Sequence, residues 1–215
     1  EKKWRMLPVD SGERDRLAEE LRLSPILATL LVRRGLSDAA AVTRFLDPRL
    51  KDLHDPDLLP DCDAASRRIE EAVRRGERVA ICGDYDADGL SATALLVDFF
   101  RLLGHPVRTR IPHRLEEGYG LGRDAVAELA AEGVRLIITV DNGSSAVEEI
   151  ILARELGVDV VVTDHHEPPE ALPPALAIVN PWVAGSRYPF PQLAGVGVVF
   201  KLLWAISRRF SRSKK

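Results

Sequence analysis

The spacing of apolar residues predicts a small helical unit followed by a larger α/β region. In residues 1–60, leucines recur at helical spacing, as in Leu27, Leu30 and Leu31. From residue 61 onward, short continuous apolar runs alternate with amphipathic helical segments. This alternation is typical of a parallel sheet covered by helices on both faces. We therefore expect a helical N-terminal unit with its linker in residues 1–60. In residues 61–215 we expect a doubly wound α/β domain with a mainly parallel five-stranded sheet.

Three of the five predicted strands are followed directly by acidic residues. These three strands cover residues 78–82, 134–140 and 158–162, and the other two cover 106–111 and 177–179. Because the carboxyl ends of parallel strands share one edge of the sheet, the side chains that follow them should converge in one crevice. The converging groups are Asp84, Asp86 and Asp88 after the first of the three strands, Asp141 after the second, and Asp164, His165 and His166 after the third.

Five carboxylates in one crevice repel each other strongly unless cations neutralise them. If the first acidic loop is extended, Asp84, Asp86 and Asp88 project to one side. We predict a site for two divalent ions, with Asp141, which lies between the two acid-rich loops, as a candidate bridge. Carboxylate oxygens suit Mg²⁺ or Mn²⁺, and imidazoles favour Mn²⁺. A calcium loop of the EF-hand type is disfavoured because its twelfth position requires Glu, and this chain has Leu95 there.

The same residues also have simpler structural interpretations. Asp88 or Ser91 could cap the helix that follows the first acidic loop. Asp141 could form the turn into the next helix, with Ser144 as the cap of that helix. Adjacent histidines point in different directions in an extended chain, so one can bind metal while the other faces a substrate phosphate. Their position directly after a buried strand, beside other acidic strand ends, favours a functional role.

Composition is that of an ordinary globular protein. The hydrophobic fraction is 46%, the charged fraction is 29%, and no apolar run approaches the ~20 residues that cross a bilayer. The net charge of -3 does not argue against a nucleic-acid partner, which requires only a local basic surface. Cys62 and Cys82 have neither metal-ligand spacing nor a disulfide framework, which favours a reducing cytoplasm. The chain lacks an initiator Met and a signal-peptide core, so we expect it to begin inside an ordered region.

These motifs resemble those of a known superfamily. The triplet Asp164, His165 and His166 resembles the one after which the DHH phosphoesterases are named, and residues 84–89 and 141–143 resemble their first two motifs. Other stretches are similar to the RecJ-type members, which are bacterial exonucleases specific for single strands. These stretches are residues 117–121, 180–181 and 193–202, and the whole resemblance runs from about Trp4 to Leu203.

The resemblance implies the fold, the reaction and a set of metal ligands. Asp84, Asp86, Asp141 and His165 would bind two Mn²⁺ or Mg²⁺ ions, with Asp141 as the bridge. The implied reaction is metal-dependent hydrolysis of single-stranded DNA from the 5′ end, in recombination and repair.

The resemblance also implies roles for the remaining site residues. Asp164 would orient an imidazole, and His166 would face the scissile phosphate. Asp88 would be an acid in the ligand shell or next to it. The family pattern continues with a fourth acidic motif and a second lobe that grips DNA. Neither is found within these 215 residues, so we expect an N-terminal lobe that is incomplete and inactive by itself.

Single-stranded DNA is the expected substrate and partner, together with the second lobe of the same protein. Arg110, Arg114 and Lys201 are candidates to position phosphates, although each also fits a solvated surface charge. Tyr119 could stack on a base or act as a structural tyrosine. The basic tail, residues 208–215, could contact DNA or form a frayed helix end. A single-strand-binding protein and a helicase are further expected partners, and no membrane partner is expected.

Two rival functions fit parts of the sequence. The first is a small-substrate DHH phosphoesterase that acts on pyrophosphate, cyclic dinucleotides or short oligonucleotides. The N-terminal helical unit and the stretches around Gly118 and Gly195 argue against it. The second is a catalytically inactive nucleic-acid-binding module that has kept the fold. The retained acidic cluster argues against that alternative.

Overall fold

The computed structural model describes residues 8–212. The chain divides into two compact units, with the boundary between Leu53 and His54. The start of the family resemblance, at Trp4, and the end of the basic tail, residues 213–215, lie outside the described residues.

The first unit contains three short helices and a single turn of 3₁₀ helix. Each α-helix begins after a polar residue whose side-chain oxygen accepts a hydrogen bond from the backbone two or three residues into the helix. Four apolar side chains form its core, which follows from the helical spacing of its leucines. The elements are α1 (Ser11–Leu21), α2 (Pro25–Arg33), α3 (Ala39–Leu46) and the 3₁₀ turn Leu50–Asp52, and the core residues are Leu17, Ala28, Leu31 and Val42.

The second unit is a five-stranded parallel sheet with helices on both faces, so the predicted fold class is confirmed. The strand order is β2-β1-β3-β4-β5. The strands are β1 (Val79–Cys82), β2 (Val107–Arg110), β3 (Leu136–Val140), β4 (Asp159–Thr163) and β5 (Ala177–Val179). The helices are α4 (Cys62–Arg75), α5 (Ala87–Leu102), α6 (Arg123–Ala131), α7 (Val147–Glu155) and α8 (Gly195–Arg212).

Alternate residues of each central strand pack on opposite faces of the sheet. Ile81, Ile138 and Val161 lie in the core that includes α4, α5 and α8. Ile137 and Val160 belong to the second core, with α6 and α7. Side chains alternate across a strand, so strands that are apolar at every position require a cover on each face.

The strand order places a topological switch point between β1 and β3. From β1 the chain continues to β2 on one side of the sheet, and the next strand, β3, pairs with the other side of β1. The loops that leave the carboxyl ends of these two strands therefore diverge and leave a crevice between them. The first two acidic loops of the sequence lie at this crevice.

The segment before α4 packs on the second unit, although its Pro and Asp content predicted a linker. Pro56 begins a 3₁₀ turn (Pro56–Leu58) and is buried, and Leu59 is buried in the core with α4 and α8. Asp61 accepts a hydrogen bond at Oδ2 from Ile178 N of the edge strand β5, at 3.0 Å. Within residues 8–212, no helix combines the length and the apolar character needed to cross a bilayer.

Two positions on α5 test this packing. Phe100 is fully buried, whereas Leu102, two residues later, is 85% exposed. We expect Phe100→Ala to lower the free energy of unfolding by about 3–5 kcal/mol, because it removes a buried ring and leaves a cavity. Leu102→Ala is the matched control and should change it by less than about 0.5 kcal/mol. Urea unfolding measures both, and equal losses would contradict the assigned helix orientation.

Candidate metal centre

Asp141 lies at the centre of the crevice, directly after β3. Its backbone has φ 62°, in the left-handed region that non-glycine residues rarely adopt. Its N–H donates to Thr163 O at 2.9 Å. The next side chain, Asn142, donates from Nδ2 to Cys82 O and to Val140 O, at 3.2 and 2.8 Å. These bonds to β1, β3 and β4 hold the strained turn in place and bury the Asp141 carboxylate.

Asp84 and Asp86 approach Asp141 from the loop after β1. Asp84 is buried, and its Oδ1 has no hydrogen-bond partner among the described residues. Asp86 is the N-cap of α5 and accepts a hydrogen bond from Gly89 N at 2.8 Å. A Cβ on Gly89 would lie 2.7 Å from Asp84 Cβ, so the helix can approach the loop this closely only without a side chain there.

The expectation that three aspartates project from an extended chain is wrong. Helix α5 begins at Ala87, so Asp88 lies in the first turn of the helix and not in an extended chain beside Asp84 and Asp86. The cap of α5 is Asp86, rather than Asp88 or Ser91. Asp88 instead accepts hydrogen bonds from Gly195 N and Val196 N, at 2.7 and 2.8 Å, and so caps the start of the distant helix α8.

Asp164 organises the loop after β4. It is buried, and its Oδ1 accepts hydrogen bonds from the backbone N–H groups of His165 and His166, at 2.7 and 3.2 Å. The same oxygen accepts a hydrogen bond from His166 Nδ1 at 2.8 Å. Its Oδ2 accepts one from Ser144 N at 3.0 Å, so Ser144 does not cap α7 as expected. Asp164 thus holds both histidines and the loop after β3.

His165 points its Nε2 at two carboxylates. Its Nδ1 lies 2.9 Å from Leu193 O, and because a carbonyl only accepts, Nδ1 carries the proton of the neutral ring. Nε2 then lies 3.0 Å from Asp141 Oδ1 and 3.5 Å from Asp88 Oδ2. The contact with Asp141 lacks hydrogen-bond geometry, and Asp141 Oδ1 has no hydrogen-bond partner among the described residues. A lone pair that faces carboxylate oxygens is stable only with a proton or a cation between them.

The side chains form two groups of three that share Asp141. One group is Asp84, Asp86 and Asp141, and the other is Asp141, His165 and His166. In each group, one ligand atom per residue lies within 4.8 Å of the others. Among the described residues, two buried carboxylate oxygens have no hydrogen-bond partner, and the imidazole Nε2 of His165 faces one of them. These donors and the excess of negative charge fit hard divalent ions.

The electrostatics of the site favour a bound cation. Burial, followed by the nearby charges of Asp88 and Asp86, raises the pKa of Asp141 to about 7. Burial also raises the pKa of Asp84, although the backbone N–H of Tyr85 opposes that shift. For His166, burial opposes the charged form, but the hydrogen bond to Asp164 and the surrounding carboxylates raise its pKa.

Two of the four expected substrate residues lie at the crevice. Tyr119 donates its hydroxyl hydrogen to Asp141 O at 2.8 Å, and its ring lies edge-on to that of His166. It is 51% exposed. The guanidinium of Arg114 lies 5.2 Å from the centre of the Tyr85 ring, and its charge lowers the pKa of Asp84 against the effect of burial.

The other two expected substrate residues are already engaged by groups of the protein. Arg110 is paired with Glu117 and Glu128, at 2.8 and 2.9 Å. Lys201 is 2% exposed, and its Nζ donates to His54 O at 2.6 Å. A phosphate at the crevice cannot reach this amine, because α8 turns it towards the segment before α4.

Sequence reasoning missed several residues that hold the site together. Asn180 follows β5 and donates hydrogen bonds to the loops after β3 and β4. Residues 180–181 were part of the family resemblance, but no role in the site was predicted for Asn180 because its amide carries no charge. Gly195 was part of a noted stretch, yet its contact was unforeseen: a Cβ there would lie 2.6 Å from Asp141 Oδ1.

The fold and the site define a parallel α/β protein with a carboxylate and histidine cluster at its topological switch point. Residues 78–215 match the N-terminal domain of the DHH family, and the chain belongs to this family. The family resemblance found in the sequence is therefore confirmed.

Several of the proteins similar to this chain are RecJ exonucleases. The chain is 42% identical over 204 residues to the single-stranded-DNA-specific exonuclease RecJ of Bacillus subtilis (strain 168), an alignment that covers 95% of this chain and 26% of that protein. It is 40% identical to RecJ of Escherichia coli (strain K12), with 89% and 33% covered. The crystal structure of Thermus thermophilus RecJ with Mn²⁺ matches 97% of this chain and 29% of that one, with a TM-score of 0.77 and 34% identity. The chain thus spans between a quarter and a third of these relatives.

The raised pKa of Asp141 makes the stability of the metal-free protein depend on pH. In the unfolded chain this carboxyl loses its proton near 3.8, whereas in the folded protein it keeps the proton up to about 7. Between these values the folded state binds more protons, so the free energy of unfolding falls as pH rises. We expect Asp141→Asn, which cannot ionise, to become progressively more stable than the wild type from pH 5 to 7.

Urea unfolding in the presence of EDTA, from pH 5 to 8, measures this difference. Asp55→Asn is the control, because Arg208 lowers the pKa of Asp55 below 3.8 and that carboxyl stays ionised in both states across this range. Its effect on stability should be constant. A constant effect of Asp141→Asn as well would show that its carboxyl is not perturbed by burial.

Proposed function

We propose that residues 54–215 form the catalytic domain of a RecJ-type exonuclease, with residues 1–53 as an accessory helical unit. The complete protein hydrolyses single-stranded DNA from the 5′ end with two Mn²⁺ or Mg²⁺ ions, in recombination and repair. The observation that carries this proposal is the position of Asp141, which belongs to both groups of three candidate ligands. The similarity to RecJ proteins supports the choice of substrate over small molecules.

Asp84, Asp86, Asp141 and His165 hold the ions in this proposal. When bound, the ions supply an activated water and withdraw charge from the scissile phosphate. Asp141 suits a bridging role because its carboxylate is buried between the two groups. His165 offers Nε2, since Nδ1 is engaged with Leu193 O. Asp88 contributes mainly by anchoring the start of α8 against the site, while its Oδ2 remains 3.5 Å from His165 Nε2.

His166 acts on the substrate rather than on the protein scaffold. Its Nδ1 is committed to Asp164, so Nε2 is the atom left to face a phosphate. Because the pKa of His166 is raised, the ring readily carries a second proton and can donate a hydrogen bond to a phosphate oxygen as negative charge develops. Asp164 keeps the ring in this orientation.

The proposed partners follow from the same site. Single-stranded DNA would reach the crevice beside Arg114 and Tyr119, and a second lobe of the same protein would complete the binding path. A single-strand-binding protein and a helicase would supply the strand. A reducing cytoplasm suits the two buried free cysteines, Cys62 and Cys82.

Cleavage by the complete protein tests the function. We expect Mn²⁺-dependent release of nucleotides from a 5′-phosphorylated single strand. Asp141→Ala should reduce the rate by more than about 100-fold, because loss of an outer partner of a ligand alone costs about 10–100-fold. Asp159→Ala, at the opposite end of β4, is the control. A wild-type protein that hydrolyses pyrophosphate or a dinucleotide and leaves the single strand intact would exclude the exonuclease.

The contact between Gly195 and Asp141 predicts a separate effect on metal binding. A Cβ at Gly195 would lie 2.6 Å from Oδ1 and 2.9 Å from Cγ of the buried Asp141 side chain, so this side chain would have to shift. A Cβ at Gly197 would meet only the flexible side chain of Leu193, at 3.2 Å. We expect Gly195→Ala to weaken Mn²⁺ binding by about tenfold or more, and Gly197→Ala to leave it within about twofold.

Isothermal titration of the complete protein with MnCl₂ measures both affinities. Equal affinities in the two variants would mean that Asp141 does not bind the ion from this position.

A further inference from the structure

One buried amide links the loops that carry the candidate site. Asn180 is the first residue after β5 and is fully buried. Its Nδ2 donates to Ser144 Oγ in the loop after β3 and to His166 O in the loop after β4, both at 2.9 Å. Its Oδ1 accepts a hydrogen bond from Trp182 N, also at 2.9 Å. No site residue itself comes from β5, yet this strand end bonds two of the site's loops.

The amide closes a ring of hydrogen bonds, here called the circuit, that joins Ser144, Asp164, His166 and Asn180. Ser144 N donates to Asp164 Oδ2, and Asp164 Oδ1 accepts hydrogen bonds from the backbone and the ring of His166. The carbonyl of His166 then accepts from Asn180, and Asn180 returns to Ser144. His166 is therefore held at three points: its N–H and its Nδ1 by Asp164, and its carbonyl by Asn180.

The circuit requires an amide at position 180. A carbonyl oxygen can only accept, so the group opposite His166 O must be a donor. A backbone N–H can only donate, so the group opposite Trp182 N must be an acceptor. The amide satisfies both in one orientation, and the reversed orientation would break both bonds. A carboxylate would place an acceptor against His166 O, and an apolar side chain would leave buried polar groups without partners.

We infer that Asn180 is a positioning residue for His166: by holding its carbonyl, it aims the imidazole at the phosphate of the substrate. The inference rests on the proposed phosphodiester hydrolysis. His166 is half-exposed at the crevice, with its side chain 52% accessible, so packing alone does not fix the ring. Without the bond from Asn180, the residue would be held by Asp164 and by the longer contact of the Tyr119 hydroxyl with Nδ1, at 3.3 Å, and its backbone could turn and carry the ring with it. The bond from Asn180 removes that freedom. A catalytic group that is misplaced lowers kcat and leaves the affinity for the substrate nearly unchanged.

A double-mutant cycle in the complete protein tests the inference. We expect Asn180→Ala to lower kcat about 10–100-fold, with KM and Mn²⁺ affinity within about threefold of the wild type. In a His166→Ala background the same substitution should cost less than about threefold, because its effect passes through the imidazole. Asn180→Asp, which keeps the shape and lacks the donors, should reproduce the kcat loss if the alanine variant fails to fold.

Asp61→Ala is the matched control. It removes a bond to the same strand, at Ile178 N, without touching the amide. Its effect on kcat should be equal in the wild-type and His166→Ala backgrounds. If Asn180→Ala costs the same factor in both backgrounds, or lowers kcat and Mn²⁺ affinity together, Asn180 is only structural and the inference is wrong.

A measurement without turnover separates this inference from the proposed function. In metal-free protein at alkaline pH, nitrogen NMR should show His166 in the Nδ1–H tautomer, and Asn180→Ala should produce a mixture of tautomers. If the wild type does not cleave the strand but Asn180→Ala still changes the tautomer of His166, the proposed function is wrong and the positioning role stands. An unchanged tautomer together with an unchanged kcat would overturn the positioning role alone.

Discussion

The crowding of carboxylates around Asp141 is the constraint on which the site depends. Parallel pairing aligns the ends of neighbouring strands: Cys82 is opposite Thr139, and Val140 is opposite Thr163. The polar residues that follow these strands therefore lie close together at the carboxyl edge of the sheet. Burial of their charges is unfavourable, and for this reason the pKa of Asp141 is raised. The apolar core on both faces of the sheet offsets this cost, and divalent ions would remove its source.

Helix ends reduce the same repulsion. Asp86 caps α5 and Asp88 caps α8, so the positive ends of two helix dipoles point at the acidic cluster. The glycine at the start of α8 permits this approach, because any side chain at Gly195 would overlap Asp141. The caps therefore serve two purposes, since they begin helices and they place backbone N–H groups where negative charge is concentrated.

Bonds between the loops then decide how the histidines point. Asp164 bonds to the loop after β3 through Ser144 and to both histidines of its own loop. Leu193 O, before α8, selects the tautomer of His165. Ser144 and Leu193 come from loops that are distant in sequence from the triplet, so the orientation of the imidazoles is a property of the assembled sheet and not of the triplet alone. This explains how histidines at the exposed rim of a crevice can be held in defined orientations.

The sequence predicted the strands, the fold class and the family, because these follow from local patterns. Runs such as residues 79–82 are apolar at every position, and motifs such as residues 164–166 are contiguous. It also indicated which strand ends carry acids. It did not predict that Asp88 caps a helix that begins 107 residues later, as its bond to Gly195 shows. Nor did it predict that Lys201 is buried against His54 or that residues 54–60 pack on the second unit.

These differences have one physical reason. Apolar periodicity and motif order are set by neighbours along the chain, and they determine which elements form and which ends of them are polar. Which oxygen meets which N–H is set by groups that are distant in sequence and become adjacent only when α8 and β5 dock on the sheet. The sequence by itself thus determined that acids and histidines gather at one edge, and the tertiary structure decided which of them face the crevice and which hold the others in place.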